Sequence, residues 1–197
     1  MRQETGSNLT IDNKKVSIQV KLGGRSFSAD KVAVAEGVER VEFIIDTPRV
    51  VLAPRGEVSL DSAAELLRVV GKACRSNEQS VCSELQADIV AVMAMDSEAL
   101  RSIMALKGIA ISFTSPLLDM RHCDEDCLMI DATDKVCYAR LFENGLRSAE
   151  AFDATNSEDV LYIVSEWLGN RDIPIYIKGS AETVKLLRKY YKRVICE

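Results

Sequence analysis

The chain has a single histidine, no surplus of positive charge and no long apolar run, and each shortage removes a class of function. With His122 alone, no cluster of imidazoles can build a metal centre. Lys and Arg number 25 against 30 Asp and Glu, for a net charge of −5 and a pI near 5.1. That balance excludes nucleic acid and anionic membrane as expected partners, since both demand a basic face. The longest apolar run, Ile89 to Met95, falls far short of the roughly 20 residues that cross a bilayer. The opening MRQETGSN lacks the apolar core of a secretory signal, so a cytoplasmic location is expected. The six cysteines (74, 82, 123, 127, 137 and 196) follow no regular spacing, which fits reduced thiols packed like small hydrophobes.

What the chain does contain is a pattern that occurs twice. Ile173 to Cys196 reads IPIYIKGSAETVKLLRKYYKRVIC, and slid back 84 positions it lies over Ile89 to Ser112. Leu100 falls on Val184, Ile103 on Leu187, Ala110 on Val194 and Ile111 on Ile195. Each copy is a short apolar run, a polar break, an amphipathic helix and a second apolar run, the pattern of a β-α-β unit. Leu100, Ile103, Met104 and Leu106 form the stripe in one helix, and Val184, Leu187 and Tyr191 in the other. Asp96-Ser97 and Ser180 are expected to cap these helices, and Gly108 to end the first.

The flanking segments also correspond. Val16 to Leu22 alternates as a half-buried strand, Gly23-Gly24 is a turn, and Arg25 to Ala29 is expected to return beside it. Val41 to Ile45 and Val50 to Ala53 are further strands, broken at Thr47-Pro48. A helix is predicted after Asp61-Ser62, with Glu65 completing a capping box and Ala64, Leu67, Val70 and Ala73 facing inward. Arg75 to Ala87 reads as a polar loop, and Ser115-Pro116 as the start of a short helix. The second half restarts with Leu128-Met129-Ile130 and Val136 to Phe142. Asn144-Gly145 is a hairpin signal, followed by a return strand to Phe152 and a helix capped at Asn156 or Ser157.

Each half thus reads as hairpin, further strand, helix, strand, helix, strand. The expected fold is α/β: two tandem ribonuclease H-like lobes, residues 9–117 and 125–197, the second without a final helix. Each has a mixed five-stranded sheet with helices, and the pair makes an actin-like ATPase architecture. The stretches VSIQVKLGGRSFS, VVLAP (50–54), FTSPLL (113–118), LFENG, AFDATNSEDVLYIV, IYIKGSAE and LLRKYYKRV resemble, in this order, a bacterial family of unknown function with an actin-like ATPase fold. The resemblance implies that fold and supplies no activity.

Proteins of that superfamily hold ATP between lobes through Asp-x-Gly hairpins, whose glycine lets backbone amides approach a phosphate. Here the first hairpin, Leu22-Gly23-Gly24-Arg25, has no carboxylate on its strand. The second, Asp131-Ala132-Thr133-Asp134, has Thr133 in the glycine position. The adenosine strand, Ile175 to Ser180, keeps Gly179 but has Lys178 where a second glycine belongs. Asp131, Thr133, Gly179 and Ser180 are therefore either an eroded ATP site or a turn with a helix cap.

His122, Cys123, Cys127 and Cys137 contain zinc-ligand types without a second Cys-x-x-Cys pair. Asp124, Glu125 and Asp126 read as a solvated linker, and Arg188 to Arg193 as a basic helix end. No catalytic, cofactor-binding or metal-binding residue is assigned. The expected function is a non-catalytic interaction or scaffold module with an unknown protein partner. The alternative is an ATP-binding or weakly hydrolysing protein using ATP with Mg in the cleft.

Overall fold

A computed structural model describes residues 10–12, 15–21, 39–121 and 124–197. Its strands in chain order are β1 (Thr10–Asp12), β2 (Lys15–Lys21), β3 (Arg40–Asp46), β4 (Val50–Pro54), β5 (Glu78–Cys82), β6 (Ile89–Asp96), β7 (Ala110–Thr114), β8 (Cys127–Ala132), β9 (Val136–Phe142), β10 (Leu146–Asp153), β11 (Ile175–Lys178) and β12 (Val194–Cys196). The helices are α1 (Ala63–Val69), α2 (Ser97–Met104), α3 (Ser157–Leu168) and α4 (Ala181–Tyr190). The fold is mixed α/β.

The second half forms one five-stranded sheet in the order β10-β9-β8-β11-β12. β8, β9 and β10 are antiparallel neighbours, while β11 runs parallel to β8 and to β12. The hairpin between β9 and β10 turns at Asn144 and Gly145, both at positive φ (56° and 110°), as the Asn-Gly pair predicts. Asn156 caps α3 by accepting from the Asp159 amide, and Ser180 caps α4 by accepting from Thr183. One face of the sheet, with Leu128, Ile130, Cys137 and Ala139, packs against Val160, Ile163 and Val164 of α3 and Val184 and Leu187 of α4.

The other face turns toward the first half. Val136, Tyr138 and Ala151 share one apolar cluster with Val41, Phe43, Ile45, Val50, Met93 and Ile103. Both halves therefore close over common core residues, each buried Val, Ile, Phe or Met side chain contributing about 1.5–3 kcal/mol of transfer free energy. Lys72 adds a polar tie, donating to the carbonyls of Pro48 (3.0 Å) and Ala151 (2.6 Å).

The first half departs from the expected copy. Its strands divide into a four-stranded sheet, β1-β2-β3-β7, and a three-stranded antiparallel sheet, β4-β6-β5. The offset pattern holds as strand, helix, strand, but β6 and β7 are not neighbours: β6 pairs with β4 and β5, whereas β7 runs beside β3. Periodicity specifies element type and is silent on partner choice, so identical patterns entered different sheets. The Gly23-Gly24 turn and the Arg25 to Ala29 strand lie outside the described residues.

Other corrections are local. The Arg75 to Ala87 stretch contains β5, recruited by its ladder with β6. The inward residues of α1 are Ala63 and Leu67, four apart, while Ala64 and Val70 are exposed. A strict three-residue step drifts off one helix face, and Gly71 (φ 76°) follows the short helix. The Ser62–Glu65 capping box does not form: Ser62 exchanges bonds with Ser59, and Glu65 accepts from Arg68 Nε at 2.7 Å. Met104, expected on the α2 stripe, is 61% exposed. Among the described residues, no helix is long and apolar enough to cross a membrane.

Candidate functional site

A cleft of about 420 Å³ opens where the carboxyl ends of β7, β8 and β11 meet Ile44 of β3. Carboxyl ends of parallel strands are where open α/β sheets bind ligands. Its lining includes Ile44, Thr114, Ser115, Asp131, Thr133 and Lys178. The structure thus brings two of the four candidate residues, Asp131 and Thr133, to one cleft, beside Lys178, which stands where a second glycine was expected. Gly179 and Ser180 follow Lys178 in the chain and are not among the lining residues.

Asp131 does not offer a free carboxylate. Its Oδ2 accepts from Arg140, and Arg121 stands 3.8 Å from Oδ1. Arg140 is completely buried in the middle of β9, and its second terminal nitrogen donates to the Pro116 carbonyl. Its Nε–H is buried without a partner. Burying a guanidinium is costly unless a counter-charge faces it, so the pair holds Asp131 as firmly as Asp131 holds Arg140.

Thr133 is likewise engaged. Its hydroxyl donates to the Val136 carbonyl (3.2 Å) or to Asp46 Oδ1 (3.3 Å), and accepts from the Val136 amide (3.2 Å). The Thr133 amide donates to the Val136 carbonyl at 2.8 Å, so the turn is closed on itself. Gly179 lies close against the β8 hairpin: a Cβ there would sit 3.3 Å from Ala132 Cβ, so Ala132 would have to give way slightly. The Ser180 hydroxyl is occupied by capping α4.

Asp46 and Tyr138 are functional-site neighbours that the sequence reading missed. The Tyr138 hydroxyl donates to Asp46 Oδ1 and accepts from the Thr47 amide, both at 2.8 Å, in fully buried surroundings. Burial and the nearby Asp46 push the Tyr138 phenol well above its usual range. A signal was present: Phe43-Ile44-Ile45-Asp46 and Leu128-Met129-Ile130-Asp131 match at an offset of 85, beside the 84 of the longer repeat. Both stretches are strands that end in an aspartate. Tyr138 and Arg140, two apart on β9, each engage one of these aspartates.

The zinc-type residues do not converge. His122 and Cys123 lie outside the described residues. Cys127 and Cys137 stand at opposite ends of the β8–β9 ladder and on opposite sheet faces, where five strand steps span about 17 Å. Burial pushes their thiols up to about 11 and about 12, the behaviour of packing groups rather than thiolate ligands. Among the described residues, no group of three or more His, Cys, Asp or Glu side chains is placed to hold a metal ion.

No protein-family model matches the sequence, and no curated protein matches it. Solved structures do resemble it. A Bacteroides thetaiotaomicron protein with an actin-like ATPase fold and unknown function superposes with a TM-score of 0.65 at 17% identity, covering 80% of this chain and 68% of that one. The PilM–PilN type IV pilus biogenesis complex gives 0.48 at 12% identity, covering 81% and 69%. The cytoplasmic domain of EpsL, an inner-membrane component of the Vibrio cholerae type II secretion system, gives 0.38 at 14%, covering 70% and 60%. The first likeness establishes an actin-like ATPase fold.

Proposed function

We propose that this chain is a non-catalytic interaction or scaffold module, built on two ribonuclease H-like lobes at 9–117 and 125–197. It works in the cytoplasm through a protein partner. One observation carries the reading: Arg140, wholly buried, pairs with Asp131, the carboxylate that an ATPase of this fold would need for a metal or water. Asp131 thus already carries a counter-charge that the chain itself supplies. The hydroxyl of Thr133 and the backbone of its hairpin bond to each other, leaving few donors for a phosphate. The order β10-β9-β8-β11-β12, third-second-first-fourth-fifth within its half, supports the lobe at 125–197.

The second reading, an ATP-binding protein, is favoured by the cleft itself, which is roomy and lined by Ser115 and Lys178 at strand carboxyl ends. Residues Asp131, Lys178 and Ser115 would then face the nucleotide and its magnesium. Thermal unfolding with Mg-ATP separates the two. A ligand at a hundredfold over its Kd stabilises by about 2.7 kcal/mol. The scaffold reading predicts no shift at millimolar Mg-ATP. A saturable shift lost in Asp131→Asn, which keeps an acceptor for Arg140, would overturn it.

A further inference from the structure

We infer that the end of α4 and the turn after it form a docking site for an acidic protein segment. Lys185, Arg188, Lys189, Lys192 and Arg193 place five cations within nine residues, with no acid among them. Their +5 leaves −10 for the rest of a chain whose net charge is −5. Despite that acidic surplus, none of the five makes an ion pair among the described residues. Arg188 and Arg193 reach only the carbonyls of Val194 and Asp172, and Lys185, Lys189 and Lys192 are exposed. At the centre stands Tyr190, 65% exposed, an aromatic ring ringed by cations in sequence.

The helix dipole accounts for only part of this. Its attraction for cations is confined to the last turn, which holds Arg188 and Lys189. Lys185 lies a turn earlier, and Lys192 and Arg193 lie beyond the capping residue Tyr191. Like charges crowded on one helix end repel each other, so the remaining three work against local stability. A compact acidic segment would relieve that repulsion and bury the Tyr190 ring. Extended polyanions such as a duplex or an anionic bilayer would also meet the acidic remainder of the surface, which repels them. The site lies on the helix layer, on the opposite sheet face from the cleft residues Asp131 and Arg140, so it stands whether or not the cleft takes a nucleotide.

The test is fluorescence anisotropy of a fluorescein-labelled glutamate–tyrosine copolymer titrated with the full chain at physiological salt. A duplex DNA oligonucleotide and phosphatidylserine vesicles serve as competing probes. Binding of the copolymer is expected, weakening as salt rises. The K185E/K189E/K192E variant should lose at least about tenfold in affinity, and Tyr190→Ala a smaller factor with unchanged salt dependence. All four positions are exposed, so the variants should keep the parent melting temperature. Absence of copolymer binding, equal binding by the triple variant, or tighter binding of DNA or vesicles would each overturn the proposal.

Discussion

Replacing Tyr138 by Phe removes one oxygen and tests whether the two halves share a core. The hydroxyl is fully buried, donates to Asp46 and accepts from the Thr47 amide, both at 2.8 Å. Phe keeps the ring in its cluster with Val41, Phe43 and Ile45, so no large cavity opens. The loss is then the bond to a carboxylate, about 1.5–3 kcal/mol, plus part of the cost of an orphaned buried amide, about 1–3 kcal/mol. Asp46 keeps the weaker Thr133 contact at 3.3 Å, which offsets some of this. A net destabilisation of about 3 kcal/mol follows, lowering Tm by roughly 9 °C for a chain of this size. Urea unfolding followed by far-ultraviolet circular dichroism should show an earlier midpoint, an unchanged slope and a single transition. A loss below about 1 kcal/mol would refute the bonding argument. A transition that splits in two would refute the shared core.

Three further outcomes are expected. Gly179→Ala should destabilise by about 1 kcal/mol through its 3.3 Å approach to Ala132, and Ala132→Gly in the same chain should recover part of it, measured by chemical denaturation. Glu78 is raised by burial but lowered further by its bonds to Arg49 and the Arg75 amide, so its net pKa is depressed. Its stabilisation is present above the ordinary value of 4.5 and fades as pH falls through the folded value, and Glu78→Gln should flatten that acid slope. Cys127 and Cys137, raised to about 11 and about 12, stabilise fully below the ordinary thiol value of 9 and lose that contribution as pH climbs. Unfolding free energy should therefore fall in alkali, and mapped thiol labelling at neutral pH should mark exposed Cys196 rapidly and these two only after unfolding.

Much of the local structure was legible because its causes are local. The Asn144-Gly145 turn, the Ser180 cap, the α3 cap at one of Asn156 or Ser157, and the strand at Val41 to Ile45 are each written within a few residues. The β5 strand was not, because Glu78 to Cys82 is polar and acquires its conformation from the β6 ladder and from Arg49, whose Nε donates to Glu78 at 2.8 Å. Nor could periodicity reveal that β6 and β7 part company, since sheet membership depends on distant partners. Asp131 was found by its motif, but its partner lay in plain view unread. Arg140 interrupts the apolar run VCYARLF, and a charge in a central strand must be paired or expelled. Its pairing with Asp131 changes the reading of the cleft more than the missing glycine does.

The most direct measurement is the arginine side-chain NMR spectrum of the chain with and without Mg-ATP. If Arg140 is sealed against Asp131, its Nε–H signal exchanges slowly with water and stays in place as Mg-ATP is added to millimolar levels. A signal that shifts saturably with Mg-ATP, or that exchanges as fast as an exposed arginine, would contradict the account.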